Sequence, residues 1–109
     1  MNRLVLAAEL IERGAMRYTP AGLPALDLKL KSETEVSEDG QPRKVSLEIK
    51  ALAIGAITQP AKVLAMGQAA IFAGFLAASR NGKGLVFHVT AIDPEAAPAP
   101  VPVPASAPV

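Results

Sequence analysis

The side chains able to do chemistry in this 109-residue chain are cations rather than nucleophiles or metal ligands. Cysteine is absent, which removes thiolate metal sites, disulfides and thiol nucleophiles together. His88 is the sole histidine and has no second histidine or carboxylate pair beside it in sequence, so it reads as a structural strand residue. Gly82-Lys83-Gly84 resembles a fragment of a phosphate loop, but the segments around it read as strand, turn and strand, which makes it a turn. No catalytic residue, metal site or cofactor is expected. What remains is a set suited to phosphates: Arg13, Arg17, Lys29, Lys31, Lys44, Lys50, Arg80 and Lys83, with Tyr18 as the one exposed-looking aromatic. The competing reading of these cations is a solvated strand face.

Total charge does not decide between the two, because 11 Lys and Arg against 10 Asp and Glu leave about +1. Distribution must decide. Glu33, Glu35, Glu38 and Asp39 cluster in one stretch, either as an acidic patch for a partner or as the solvating residues of a long loop, and would repel a polyanion.

The elements that position the cations follow from hydrophobic period. Ala25 to Lys31 alternates apolar and polar residues, which predicts a strand with Leu26, Leu28 and Leu30 facing the core. Lys44 to Ala51 repeats the pattern, burying Val45, Leu47 and Ile49 and exposing Lys44, Ser46, Glu48 and Lys50. The two should pair antiparallel, which puts Lys29, Lys31, Lys44 and Lys50 on adjacent outward faces. Their connection, Ser32 to Arg43, is polar and turn-rich and is expected to be an exposed hairpin loop.

Leu4 to Ile11 reads as a first strand, and the Thr19-Pro20-Ala21-Gly22-Leu23-Pro24 cluster as the turn into the second. Ile57 to Met66 is expected to be a short helix, with Thr58 as N-cap, Pro60 in the first turn and Gly67 as the stop. Ala69 to Ala78 and Leu85 to Ile92 form a last hairpin through Asn81-Gly82, with Phe72, Phe75 and Phe87 inside or at an interface. Arg80 and Lys83 then sit at a hairpin tip.

Strand, strand, strand, short helix, strand, strand is the order of a five-stranded OB-fold barrel, whose second and third strands commonly carry the ligand face. A generic five-stranded sandwich has the same count. The expectation is an all-β domain over residues 1–93, followed by a disordered Ala/Pro-rich tail at 94–109 in which alternating Pro denies helix and sheet. Val63 to Ser79 lacks charge, but Ala, Gln68 and two Gly make it too weakly apolar for a membrane span. The start of the chain has no signal-peptide pattern, so a non-secreted protein is expected.

Asn2-Arg3-Leu4-Val5-Leu6, Pro20-Ala21-Gly22-Leu23-Pro24, and Asn81-Gly82 leading into Leu85-Val86-Phe87-His88 resemble the bacterial primosomal replication protein N family, also called primosomal protein B. The resemblance covers Met1 to about Asp93 and lies in order and spacing. It implies an OB-fold homodimer, cytoplasmic and nucleoid-associated, that binds single-stranded DNA without sequence preference. It also implies partnership with a restart helicase and other primosome proteins, and no catalysis. That family presents aromatic side chains on the third strand and before it, where this chain holds Ser46 and Gln41. A base stacked on an aromatic is worth about 1–3 kcal/mol, so their absence should weaken binding or shift the burden to charge.

Three functions fit these residues. One is a single-stranded DNA-binding accessory protein of replication restart. A second is an OB-fold adapter between proteins with weak or no DNA binding. The third, an accessory subunit or small enzyme acting on carbohydrate or nucleotide, rests only on the versatility of the fold. Deleting Pro94 to Val109 should leave folding intact, because the segment has no periodic apolar face. Thermal unfolding of the truncated chain is the check, with a fall beyond about 4–8 °C meaning that the tail docks.

Overall fold

The computed structural model describes residues 1–79 and 82–94. Its strands are β1 (Leu4–Arg13), β2 (Arg17–Tyr18), β3 (Pro24–Glu38), β4 (Gln41–Ile54), β5 (Ala69–Ala78) and β6 (Leu85–Pro94). A single 3-10 turn (Gly55–Ile57) leads into one short helix, α1 (Thr58–Val63), between β4 and β5. Arg80, Asn81 and the expected tail from residue 95 lie outside the described residues.

The sheet order β1-β5-β6-β4-β3 returns to β1 through a β1–β3 pairing, so five strands close into a barrel and β2 hangs on the edge of β3. All neighbours are antiparallel except β4 and β6, which pair in parallel through Ala51 with Phe87, Leu52 with His88 and Ala53 with Val89. This is the OB-fold expected from the element order. A register shift between Leu10 and Glu12 lets β1 serve two partners, β5 along its first half and β3 along its second.

Alternation fills the barrel. Ala8 and Leu10 of β1, Leu26, Leu28 and Leu30 of β3, Phe72 of β5, and Phe87 and Val89 of β6 point inward and are buried. Ala51 and Ala53 on β4 sit beside Phe87 and Val89, so small residues make the room that the large ones fill. Each fully buried Leu or Phe contributes about 1.5–3 kcal/mol relative to exposure. Phe75, expected inside or at an interface, points outward and is 40% exposed.

Three expectations are corrected. The segment Ser32–Arg43 is not a loop: β3 and β4 run one-to-one from Ala25 opposite Ile54 to Glu38 opposite Gln41. Only Asp39 and Gly40 turn, with φ of 52° and 74°, the pair of positive angles that a two-residue type I′ hairpin demands. Ser32 is buried and donates its hydroxyl to the Ala7 carbonyl at 2.7 Å. Second, Leu47 is exposed and Val45 only half-buried, because this part of the hairpin rises past the end of the barrel, while Ile49 at its base is half-buried against the core.

Third, the helix is shorter than expected and Thr58 is not its cap. The Thr58 hydroxyl donates back to the Gly55 carbonyl at 2.7 Å from within the first turn. The chain turns extended at Leu64. Gly67, at φ 80°, belongs to a separate turn closed by the Gln68 amide on the Ala65 carbonyl at 3.0 Å. The Gly67 amide then donates to the Leu10 carbonyl at 2.7 Å, which ties that turn to β1. Among the described residues no helix is long and apolar enough to cross a membrane.

Between β5 and β6 the register slips where Ala73 opposes Ala91 and Gly74 opposes Val89. A Cβ on Gly74 would stand 1.8 Å from the His88 carbonyl oxygen and 3.0 Å from the Val89 Cα, both rigid backbone. Gly74→Ala should therefore cost about 1–3 kcal/mol or more. At about 4–8 °C per kcal/mol, thermal unfolding should fall by roughly 10 °C, and an unchanged midpoint would contradict this close approach.

Candidate nucleic-acid interface

A groove of about 1120 Å³ crosses the outside of the barrel, over β2, the solvent faces of β3 and β4, and the start of β6 with the turn before it. Its walls exist because alternation leaves Asp27, Lys29, Glu48, Lys50 and Leu52 facing away from the core that their neighbours fill. Lys29 and Lys50 stand directly opposite each other on neighbouring strands. Like charges in that position repel. One carboxylate offsets them: Glu48, diagonal to Lys29, approaches its ammonium to 3.3 Å.

Arg17 and Tyr18 reach the groove from β2, which pairs with Ala25 and Pro24. The Arg17 guanidinium is bidentate on Asp27, at 3.0 and 3.1 Å. That hydrogen bond, and then the carboxylate charge, raise the Arg17 pKa above its ordinary value. Tyr18 is 69% exposed on the same wall. Lys83 lines the opposite wall, in a turn where the Ser79 amide donates to the Gly84 carbonyl at 3.1 Å.

Arg13 lines the groove too, but its guanidinium has structural work. Nη1 donates to the carbonyls of Leu64, at 2.5 Å, and Ala61, at 3.4 Å, where α1 ends with its last carbonyls lacking intrahelical partners. Lys31 and Lys44 do not line the groove. Lys31 borders a separate recess with Glu9 and Glu33 and lies 3.9 Å from the Glu33 carboxylate. Lys44 sits opposite Glu35 on the projecting hairpin. Arg80 falls outside the described residues. The structure thus brings Arg13, Arg17, Tyr18, Lys29, Lys50 and Lys83 together and separates Lys31 and Lys44 from them.

Two features escaped the sequence reading. The groove carries the carboxylates of Glu12, Asp27 and Glu48 among its cations, which only the cross-strand register could show. His88 also lines the groove, with its ring stacked on Phe75 at 4.9 Å between centroids and 9° between planes. Gln41 and Ser46, the positions where the resemblance leads one to look for aromatic residues, lie on the projecting hairpin and not in the groove.

A family model described as another single-strand binding protein family matches residues 2–91. The chain belongs to this family. Within it, the replication restart protein PriB of Bordetella pertussis is 49% identical over 81 residues, covering 74% of this chain and 76% of that one. The PriB of Neisseria gonorrhoeae is 44% identical over 77 residues, covering 70% and 76%. Among solved structures, PriB from Ralstonia solanacearum superposes with a TM-score of 0.80 at 38% identity, over 87% of this chain and 98% of the other. The single-stranded DNA binding protein from Thermus aquaticus gives 0.66 at 29% identity, over 86% of this chain and half of that one. The resemblance to the primosomal family seen in the sequence is thus shown, and the Ralstonia solanacearum PriB shares the barrel fold.

Proposed function

We propose that this chain binds single-stranded DNA along the groove and acts, without catalysis, as an accessory protein of replication restart in the cytoplasm, close to the nucleoid. The observation that carries the reading is the facing pair Lys29 and Lys50, which one carboxylate only partly offsets. A phosphate lying against each ammonium group relieves their repulsion and releases condensed counterions. Arg17 and Lys83 extend the positive track to either side, and the Asp27 carboxylate keeps Arg17 aimed while a phosphate shares its charge. Replication restart is the role for which the PriB relatives are named. Contact with the restart helicase and other primosome proteins belongs to the same reading.

An oligothymidylate followed by fluorescence anisotropy tests it. With Arg17, Lys29, Lys50 and Lys83 each meeting a phosphate, log K should fall with log salt at a slope near −3, at about −0.7 per contact. Going from about 50 to 200 mM salt should weaken binding roughly fiftyfold. Lys50→Ala should flatten the slope by about 0.7, while Lys44→Ala, outside the groove, should leave it unchanged. Equal effects of the two substitutions would move the site off this groove, and no binding at low salt would favour an adapter between proteins.

The homodimer is part of the proposal, and the free edge of β1 supports it. Along Leu4–Ala8, β1 pairs with β5 on one side, and its pairing with β3 on the other begins only at Glu9. Exposed Val5 and Ile71 lie on the outer face beside that edge. Unpaired strand edges recruit another strand, here the same segment of a second copy. Sedimentation equilibrium at tens of micromolar should give twice the chain mass, and a monomer there would remove the dimer from the reading.

A further inference from the structure

The groove has cations in plenty and little π-surface. The chain carries one Tyr, three Phe and no Trp, and Phe72 and Phe87 are sealed in the core. Tyr18 and the Phe75–His88 stack are the aromatic surfaces left outside, and they come from opposite sides of the barrel seam. Tyr18 stands on β2, while Phe75 and His88 are cross-strand partners on β5 and β6.

His88 occupies a specific place. It pairs with Leu52 of β4 on one side and with Phe75 of β5 on the other, so it sits in the middle of a row running Phe75, His88, Leu52 over the outer face. Phe75 lies parallel to its ring and covers one face of the imidazole. The surface that remains contributes to the groove wall together with Leu52. Two flat rings on paired strands, each held by the ladder beneath it, form a rigid slab that loses little freedom when a third flat ring joins.

We propose that the Phe75–His88 stack is the nucleobase platform of the groove: His88 presents its groove-side surface, with Leu52, to an unpaired base while Phe75 holds the imidazole in place. This rests on the single-stranded DNA reading above and adds a base-dependent contact to a phosphate-dependent one. Every base has a π-face, so the platform is sequence-tolerant. Its contribution is independent of salt, because no counterion is released when rings stack. Lys50 lies two residues before Leu52 on the same strand and same face, which places a phosphate contact one strand repeat from the base.

The test uses the full chain and two fluorescein-labelled oligomers of equal length, oligothymidylate and an abasic tetrahydrofuran phosphate oligomer. Wild type should bind the thymidylate more tightly than the abasic strand. His88→Ala should weaken thymidylate binding about five- to tenfold, the low end of stacking by one base, and leave abasic binding and the thymidylate salt slope unchanged. His88→Phe should restore the affinity, since a ring and not a proton or charge is required. Phe75→Leu should lose part of it through a looser His88.

As the sole histidine, His88 gives isolated imidazole proton resonances, and ring currents from a stacked base should move them upfield with thymidylate but not with the abasic strand. Equal losses of thymidylate and abasic binding in His88→Ala, or resonances that stay put when thymidylate binds, overturn the platform while leaving the phosphate track standing. If wild type binds neither oligomer, the DNA reading itself falls and the platform with it.

Discussion

Closure of the sheet between β4 and β6 is the constraint on which the rest of the molecule depends. Three parallel pairs make the seam, Ala51 with Phe87, Leu52 with His88 and Ala53 with Val89. The inward members are small on β4 and large on β6, so the strands approach without a void and without overpacking. The outward members, Leu52 and His88, are brought side by side by the same three pairs. Without closure the core would lose one wall, and the groove would lose the turn that carries Lys83.

Closure has local costs that the chain meets with particular residues. Gly74 lets the β5 backbone approach the His88 carbonyl, and the Thr90 hydroxyl, beside the register slip, reaches the Ala73 carbonyl at 3.3 Å. At the other side of the barrel, the slip near Ile11 hands β1 from β5 to β3, and the Gly67 turn is tied back to Leu10. Arg13, where β1 ends, then reaches the carbonyls at the end of α1. A residue whose type suggests phosphate binding is therefore engaged in holding the helix beneath the barrel.

The surface of the same barrel sorts its charges by distance from the seam. Near it, Lys29 and Lys50 face each other and the groove holds more cations than carboxylates. Farther out, on the part of the hairpin beyond Leu30 and Ile49, Glu35 opposes Lys44 and Arg43 meets Glu38 at 2.7 Å. Exposed pairs of that sort add little stability. On the projecting arm Glu33, Glu35, Glu38 and Asp39 outnumber Lys31, Arg43 and Lys44, which confines the positive track to the groove.

Sequence was enough for the five barrel strands, though not for the two-residue β2, and for the order around the short helix and most of the core, because burying one face of a strand imposes a period of two that the chain displays openly at Ala25–Lys31. The resemblance in Asn2–Leu6, Pro20–Pro24 and the last hairpin pointed to the family that the comparisons show. It did not determine the projecting hairpin, since residues 33–43 have no core to cover and carry Val36 as their one apolar side chain apart from Pro42. The signals there were Asp39-Gly40 and the β-branched Thr34, Val36 and Val45, set among charges that read as a loop. Tertiary structure alone decided which cations share a groove: register separates Lys31 and Lys44 from Lys29 and Lys50, though all four have the same outward period. It alone also laid His88 on Phe75, because their pairing belongs to the single register that runs from Ala78 opposite Leu85 to Gly74 opposite Val89, which the spacing within either strand does not display.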